Sequence, residues 1–288
     1  MRLSPFVAML LYCTSFAVYL TIQQKLLNMG MSPIYLNTLC YTFAGIFLCA
    51  YLFFRNRSAF VIKSKKGLAY GIVIAIVVSI FADMLVLYGL RVGTPITWSL
   101  LVCSAPLVTY LLAIPLLKEP LTGRKFLVVV LSILGATLVI YLPGTGIDLK
   151  HGAPYFIGAV CFFGIANNLS QLAFKYISPL QLTLVRMVTA SVVLFSLWPI
   201  FHVEIVSVQW GLLIVNSLVI LLANFLVSYV IHKAGAMYFA IGTNMSPLIV
   251  SLLSIVVLRN WPTWMQVLGG MVIVGSIMLF QYVAKSRK

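Results

Sequence analysis

Asp83 stands inside "FADMLVLYGL", part of a run from Leu68 to Leu90 that is otherwise almost wholly apolar. A mid-span carboxylate costs about 2.5 to 3.5 kcal/mol on membrane-insertion scales, so it must face a bundle interior, a water-filled cavity or a partner. It lies about seven residues, or ~10 Å, inside its run, and a short side chain cannot reach water from there by snorkelling. Such a carboxyl could carry a proton through a transport cycle, contact a cationic or amino group, or hold a neighbouring helix by a hydrogen bond. Arg186, in "PLQLTLVRMV", is the other charge inside an apolar run. It could snorkel to the interface or attract a carboxylate or other anion. "GIANNLSQLAF" supplies Asn167, Asn168 and Gln171, with Asn167 and Gln171 four apart and so on one helix face. Interhelical hydrogen bonds in membranes average under about 1 kcal/mol, so three amides in one span suggest a polar cavity wall. "TPITWSLL" and "AMYFAIGTNMSP" add Trp98, Tyr238 and Asn244, an aromatic wall for an apolar or cationic solute.

Catalysis finds little support in the same inventory. Besides Asp83 the acids are Glu119, Asp148 and Glu204, at helix ends or in loops, with no pair positioned for acid/base work. His151, His202 and His232 do not make a metal-ligand set, and no phosphate-cradling G-x-x-x-x-G-K-[ST] motif occurs. The chain is not expected to be an enzyme, to use a cofactor or to hold a metal. Cys13, Cys40, Cys49, Cys103 and Cys161 all fall in apolar runs without C-x-x-C spacing, as packing residues do.

The elements that position these residues follow from composition. The chain is 62% hydrophobic and 8% charged over 288 residues, more apolar surface than a soluble core can absorb. Windows of about 20 residues, long enough to cross the bilayer as helices, fall near 4–26, 33–54, 68–90, 94–117, 122–142, 152–176, 179–201, 208–231, 236–258 and 263–284. The expected fold is an all-α polytopic membrane protein of ten transmembrane helices. Despite a net charge of +15, the cations are neither clustered on one helix face nor interleaved with base-stacking aromatics, so no nucleic-acid partner is expected. They follow the positive-inside rule instead. One set of segments holds Arg2, Arg55, Arg57, Lys63, Lys65, Lys66, Lys118, Arg124, Lys125, Lys175, Lys233, Lys285, Arg287 and Lys288; the opposite loops hold only Lys25, Arg91, Lys150 and Arg259. Both termini are therefore expected in the cytoplasm, with the chain in the plasma membrane, the inner membrane of a bacterium. The N-terminal run lacks a cleavage site and reads as the first span.

An internal repeat organises the spans. At an offset of 141 residues "ADMLVLYGL" falls on "ANFLVSYVI", pairing Asp83 with Asn224, Tyr88 with Tyr229, Pro106 with Pro247 and Lys118 with Arg259. At an offset of 146, Ser32 and Pro33 recur as Ser178 and Pro179, and Cys40 matches Arg186. The halves are 1–145 and 146–288, five spans each. Five is odd, so the second half is inverted in the membrane, as in many secondary transporters. The inversion brings Asn224 nearer Arg186 and leaves Asp83 about 10 Å from Arg186 along the membrane normal, which argues against a direct pair. Pro106 and Pro247 are expected mid-helix, where a missing donor bends or loosens the helix and can shape or hinge a cavity.

Ten spans in two inverted halves, together with "PLVTYLLAIPLLKEPLTGRKFLVVVLSILGATLVI", resemble the drug/metabolite transporter superfamily in its EamA type. The most specific piece is "LKEPLTGRKF"; in the second copy Asn260 stands where Glu119 would recur. The resemblance implies alternating access, a gating role for Glu119, and a small metabolite cargo such as an amino acid or related amphipathic compound, moved outward. Protons are a candidate coupling partner through Asp83, and the lipid bilayer is the surrounding partner. A monomer suffices to make both halves of the path, and a dimer is compatible with it. The competing reading is a passive channel in which Asp83 sets ion selectivity at a constriction.

Overall fold

In the computed structural model, residues 3–93, 98, 101–118, 122–140, 152–206, 208–246, 249 and 264–285 are described. Apolar helices dominate: α1 (Pro5–Asn28), α2 (Pro33–Arg55), α3 (Lys65–Val92), α4 (Ala105–Leu117), α5 (Gly123–Ile140), α6 (Ala153–Ala173), α7 (Pro179–Ser196), α8 (Trp210–Ala234), α9 (Ala236–Thr243) and α10 (Trp264–Lys285). Among the described residues α1, α2, α3, α6, α7 and α8 are long and apolar enough to cross a membrane, and α4 and the stretch Val267–Phe280 of α10 are shorter apolar helices. Six such spans stand where ten windows are expected. The remaining windows fall on shorter helices or run into positions outside the described residues.

Helix starts obey local chemistry. Ser4, Ser32 and Ser178 each precede a proline, and each hydroxyl accepts the backbone N–H three residues on. Serine satisfies an otherwise orphaned donor, while proline at the first helical position has none to satisfy. Gln181 completes a capping box on Ser178. Pro106 departs from the mid-helix expectation: it lies in the first turn of α4, just after a turn at Cys103–Ser104, where its missing donor breaks no helical bond.

α1 packs on α8, α3 on α6, α2 on α7, and α5 on α10. Glycines allow several of these approaches. A Cβ on Gly164 of α6 would meet Val108 Cγ1 of α4 at 2.8 Å, and one on Gly135 of α5 would meet the Gly269 carbonyl of α10 at 2.9 Å. Lipid tails are as apolar as side chains, so close backbone packing of small residues is a principal source of helix association in membranes. Large apolar side chains such as Val192, Ile157 and Met278 point outward, more than half exposed, as a lipid-facing surface requires.

The third helix is not uniform. Between α-helical stretches Lys65–Ala75 and Asp83–Val92 lie seven residues, Ile76–Ala82, in π-helical geometry. Asp83 is the first residue after them, and its backbone N–H reaches five residues back to the Val78 carbonyl.

Candidate functional site

The cavity where the halves meet is built from several helices. α1 presents Tyr12, Phe16, Tyr19 and Gln23, a stripe at helical spacing; α2 adds Asn37 and Tyr41; α3 adds Val78, Asp83 and Val86. From the later part of the chain come Phe163, Asn167 and Ser170 of α6, Arg186 of α7, Ile220, Asn224 and Val227 of α8, and Phe239 of α9. Trp98 closes one wall. Two repeat-related pairs, Asp83 with Asn224 and Val86 with Val227, face the same space. Its volume is about 70 Å³, room for several waters.

Two opposite charges share this space. The Tyr41 hydroxyl, on a side chain almost wholly buried, donates to Asp83 Oδ2. Arg186 is 4% exposed and its Nε has no hydrogen-bond partner. Arg186 therefore does not snorkel out; it points inward, into the cavity that Asp83 also lines. Tyr41, not Arg186, is the group bonded to the carboxylate. A buried donor without an acceptor is costly, by about 1 to 3 kcal/mol and more for a charged group. The Trp98 Nε1 is a second buried donor without a partner. A solute that brings acceptors to Arg186 and Trp98 and a donor to Asp83 would satisfy all three.

Aromatic rings line the apolar remainder. Tyr12 meets Phe239 edge-on at 4.9 Å between centroids, and Trp98 lies 5.3 Å from Phe156 and 6.2 Å from Phe163. On the second-half side, Asn224 donates to the Ile220 carbonyl at 2.9 Å on its own helix. Cys40, at the position matching Arg186, accepts from Asn216 Nδ2 at 3.1 Å away from the lining.

Of the residues expected to line a site, Asp83, Trp98, Asn167, Arg186 and Asn224 come together here. The others serve elsewhere. Asn168 donates to the Thr109 carbonyl at 3.0 Å and the Gly164 carbonyl at 2.9 Å, tying α6 to α4. Gln171 Oε1 accepts from the Ala236 N–H at 2.6 Å and caps the start of α9. Asn244 donates to Ser132 Oγ at 3.2 Å and the Cys103 carbonyl at 3.4 Å. Tyr238 is buried outside the lining. Glu119 and Pro247 lie outside the described residues. Sequence reasoning missed Tyr12, Tyr19, Gln23, Asn37 and Tyr41. Their signal was spacing alone, counted with Phe16: four, three and four residues along α1 and four along α2.

The profile of the EamA-like transporter family matches residues 3–141 and 150–282. The chain belongs to the EamA-like transporter family. It is an integral membrane protein and, as an EamA-like chain, a secondary transporter of small molecules. A solved structure described as "Crystal structure of protein" shares its fold, with a TM-score of 0.74 at 17% identity over 99% of this chain and 97% of the other. No curated protein matches it. Among the described residues of this EamA-like transporter, no group of three or more His, Cys, Asp or Glu side chains is placed to hold a metal ion.

Proposed function

We propose that the protein carries a small zwitterionic or amphipathic metabolite, an amino acid or a close relative, outward by alternating access between inverted five-helix halves, residues 1–145 and 146–288. The observation that carries this reading is the cavity in which Asp83 and Arg186 face the same small space, with Arg186 Nε unpartnered and aromatic rings around them. Arg186 takes the cargo's carboxylate, Asp83 takes its ammonium group, and the rings hold the side chain. Helix pairing supports the inverted arrangement: α2 meets α7, α5 meets α10, and α1 meets α8 as α6 meets α3, each contact joining corresponding or exchanged positions of the two halves. Asp83 also serves as the proton carrier, because a carboxyl held by one tyrosine in a buried cavity wall can exchange its proton for the cargo's amino group. Glu119 and Pro247 belong to the gates, and Pro106, beginning α4 just after a turn, marks where the chain can bend. The termini are cytoplasmic, the membrane is the bacterial inner membrane, and one chain suffices.

The test is a reconstitution. Wild type and Asp83→Asn in proteoliposomes, with a pH dye inside and a panel of amino acids and amines added outside, should differ. A solute-triggered pH change is expected in wild type and absent in the mutant. Equal exchange of labelled solute with and without a pH gradient would remove the proton from the proposal, and large single-pore currents would replace the carrier with a channel.

A further inference from the structure

The π-helical turn Ile76–Ala82 ends where Asp83 begins. It has a specific grip: Asn37 of α2, 1% exposed, donates from Nδ2 to the Ser79 carbonyl at 2.8 Å. A π turn takes one residue more than an α turn, so the carbonyls of the segment lose their usual four-residue partners and need others. Asn37 supplies one from outside the helix.

The repeat provides the control. At the offset of 141, residues 217–223 of α8 correspond to Ile76–Ala82, and α8 is continuous α-helix from Trp210 to Ala234. Ile220 corresponds to Ser79, and its carbonyl is taken by Asn224, the residue corresponding to Asp83, on the same helix. An ionised Asp83 has no proton to donate to Ser79. The position matching Asn37 is Thr183, whose hydroxyl donates to the Pro179 carbonyl at 2.9 Å within its own helix and reaches α8 only at the Ser228 hydroxyl, 3.4 Å away, and not at a backbone carbonyl. Among the described residues, the π turn and its grip thus occur in the half that carries the acid and not at the matching place in the other.

We propose that this turn is a register device, with Asn37 as its positioning residue: gripped, it aims Asp83 into the cavity; released to α geometry, it turns Asp83 away. This rests on the transport reading above. Absorbing one extra residue into α geometry rotates everything beyond the turn by about 100°, one residue's share of an α turn. That rotation suffices to carry Asp83, and Val86 three residues on, off the cavity wall. A carrier must stop presenting its acid at some point in the cycle, and this turn lets it do so without moving the whole helix.

The test needs no cargo. Val86 lines the cavity and is 7% exposed, so Val86→Cys, placed in a background with Cys49 and Cys161 replaced by alanine, reports its facing by the rate of modification with a small methanethiosulfonate. Asn37→Leu is expected to slow modification by about five- to tenfold, the equilibrium weight of one hydrogen bond. Deleting Val77 takes out the extra residue and leaves plain α-helix with Asp83 and Val86 in their present phase. In that background modification should run at the parent rate, and Asn37→Leu should no longer matter. A rate indifferent to Asn37→Leu overturns the proposal, and so does an equal slowing with and without Val77. If the deletion does not fold, Asn37→Leu is added to parent and Asp83→Ala reporters: similar slowing in both supports the device, whereas slowing that disappears without the carboxylate overturns it. In proteoliposomes the Val77 deletion should abolish exchange of a labelled neutral amino acid although Val86→Cys still reacts. Parent-rate exchange by the deletion overturns the device. Absence of exchange by the parent as well strikes the transport reading, and the labelling rates alone then decide the device.

Discussion

In the proposed function Arg186 and Asp83 divide the recognition work, and each can be removed separately. Arg186→Gln leaves a buried amide in place of a guanidinium whose Nε is unpartnered. It should raise the half-saturation concentration for a zwitterion by roughly ten- to a hundredfold, the weight of a charged hydrogen bond of about 1.5 to 3 kcal/mol. A decarboxylated amine of the same skeleton should bind the mutant and wild type alike. Competition against a labelled amino acid checks both, and equal losses for the two solutes would show that Arg186 does not hold a carboxylate. Asn168 is the contrast case. Its side chain ties α6 to α4, outside the cavity lining. Asn168→Ala should lower stability in detergent by about 1 to 3 kcal/mol and leave half-saturation unchanged. The two charges were legible in the sequence because nothing else in their runs is charged. Tyr41 was not, since a tyrosine in a span is unremarkable until the carboxylate it bonds to is placed. The amides were legible by type and not by direction. Asn167 and Asn168 are about 100° apart on α6, so the same turn turns one toward the cavity and the other toward α4.

Helix ends were readable because their chemistry is local. Serine before proline announces α1, α2 and α7, and each serine makes its expected capping bond. The π turn was unreadable for the opposite reason: one inserted residue changes the phase of an apolar run, and in a run apolar on nearly every side there is no stripe to lose its phase. Pro106 was misplaced because apolar periodicity carries across the turn at Cys103–Ser104 without a break. Packing between elements yields its own prediction. A side chain at Gly135 would collide with the Gly269 carbonyl and the Ile273 side chain, 2.9 and 3.0 Å from a Cβ and so inside van der Waals distance. Gly135→Leu should push α5 off α10 and destabilise the protein by about 1 to 3 kcal/mol, read as earlier thermal aggregation in detergent. Gly275→Leu on α10 is the control, because nothing lies within 4 Å of a Cβ there, and its melting should match wild type.

At the scale of the whole molecule, the chain joins two matched stretches around one cavity, and the polar wall is unequal: an acid and an amide face it from corresponding positions, and an arginine faces it whose counterpart, Cys40, lies away from the lining. The opposition of Asp83 and Arg186 also has an electrical consequence. Moving one unbalanced charge through the membrane field changes free energy by about 2.3 kcal/mol per 100 mV. An ionised Asp83 and Arg186 cancel, so the empty carrier crosses its own barrier almost indifferent to voltage, and a zwitterion adds nothing. Imposing a potassium diffusion potential should therefore leave cargo-for-cargo exchange unchanged. Net uptake should respond only through whatever protons travel with the cargo, and the steepness of that response counts them. Under the proposed proton coupling the membrane potential acts on the proton alone, and the cell drives the carrier electrically only to the extent that Asp83 gives up its charge.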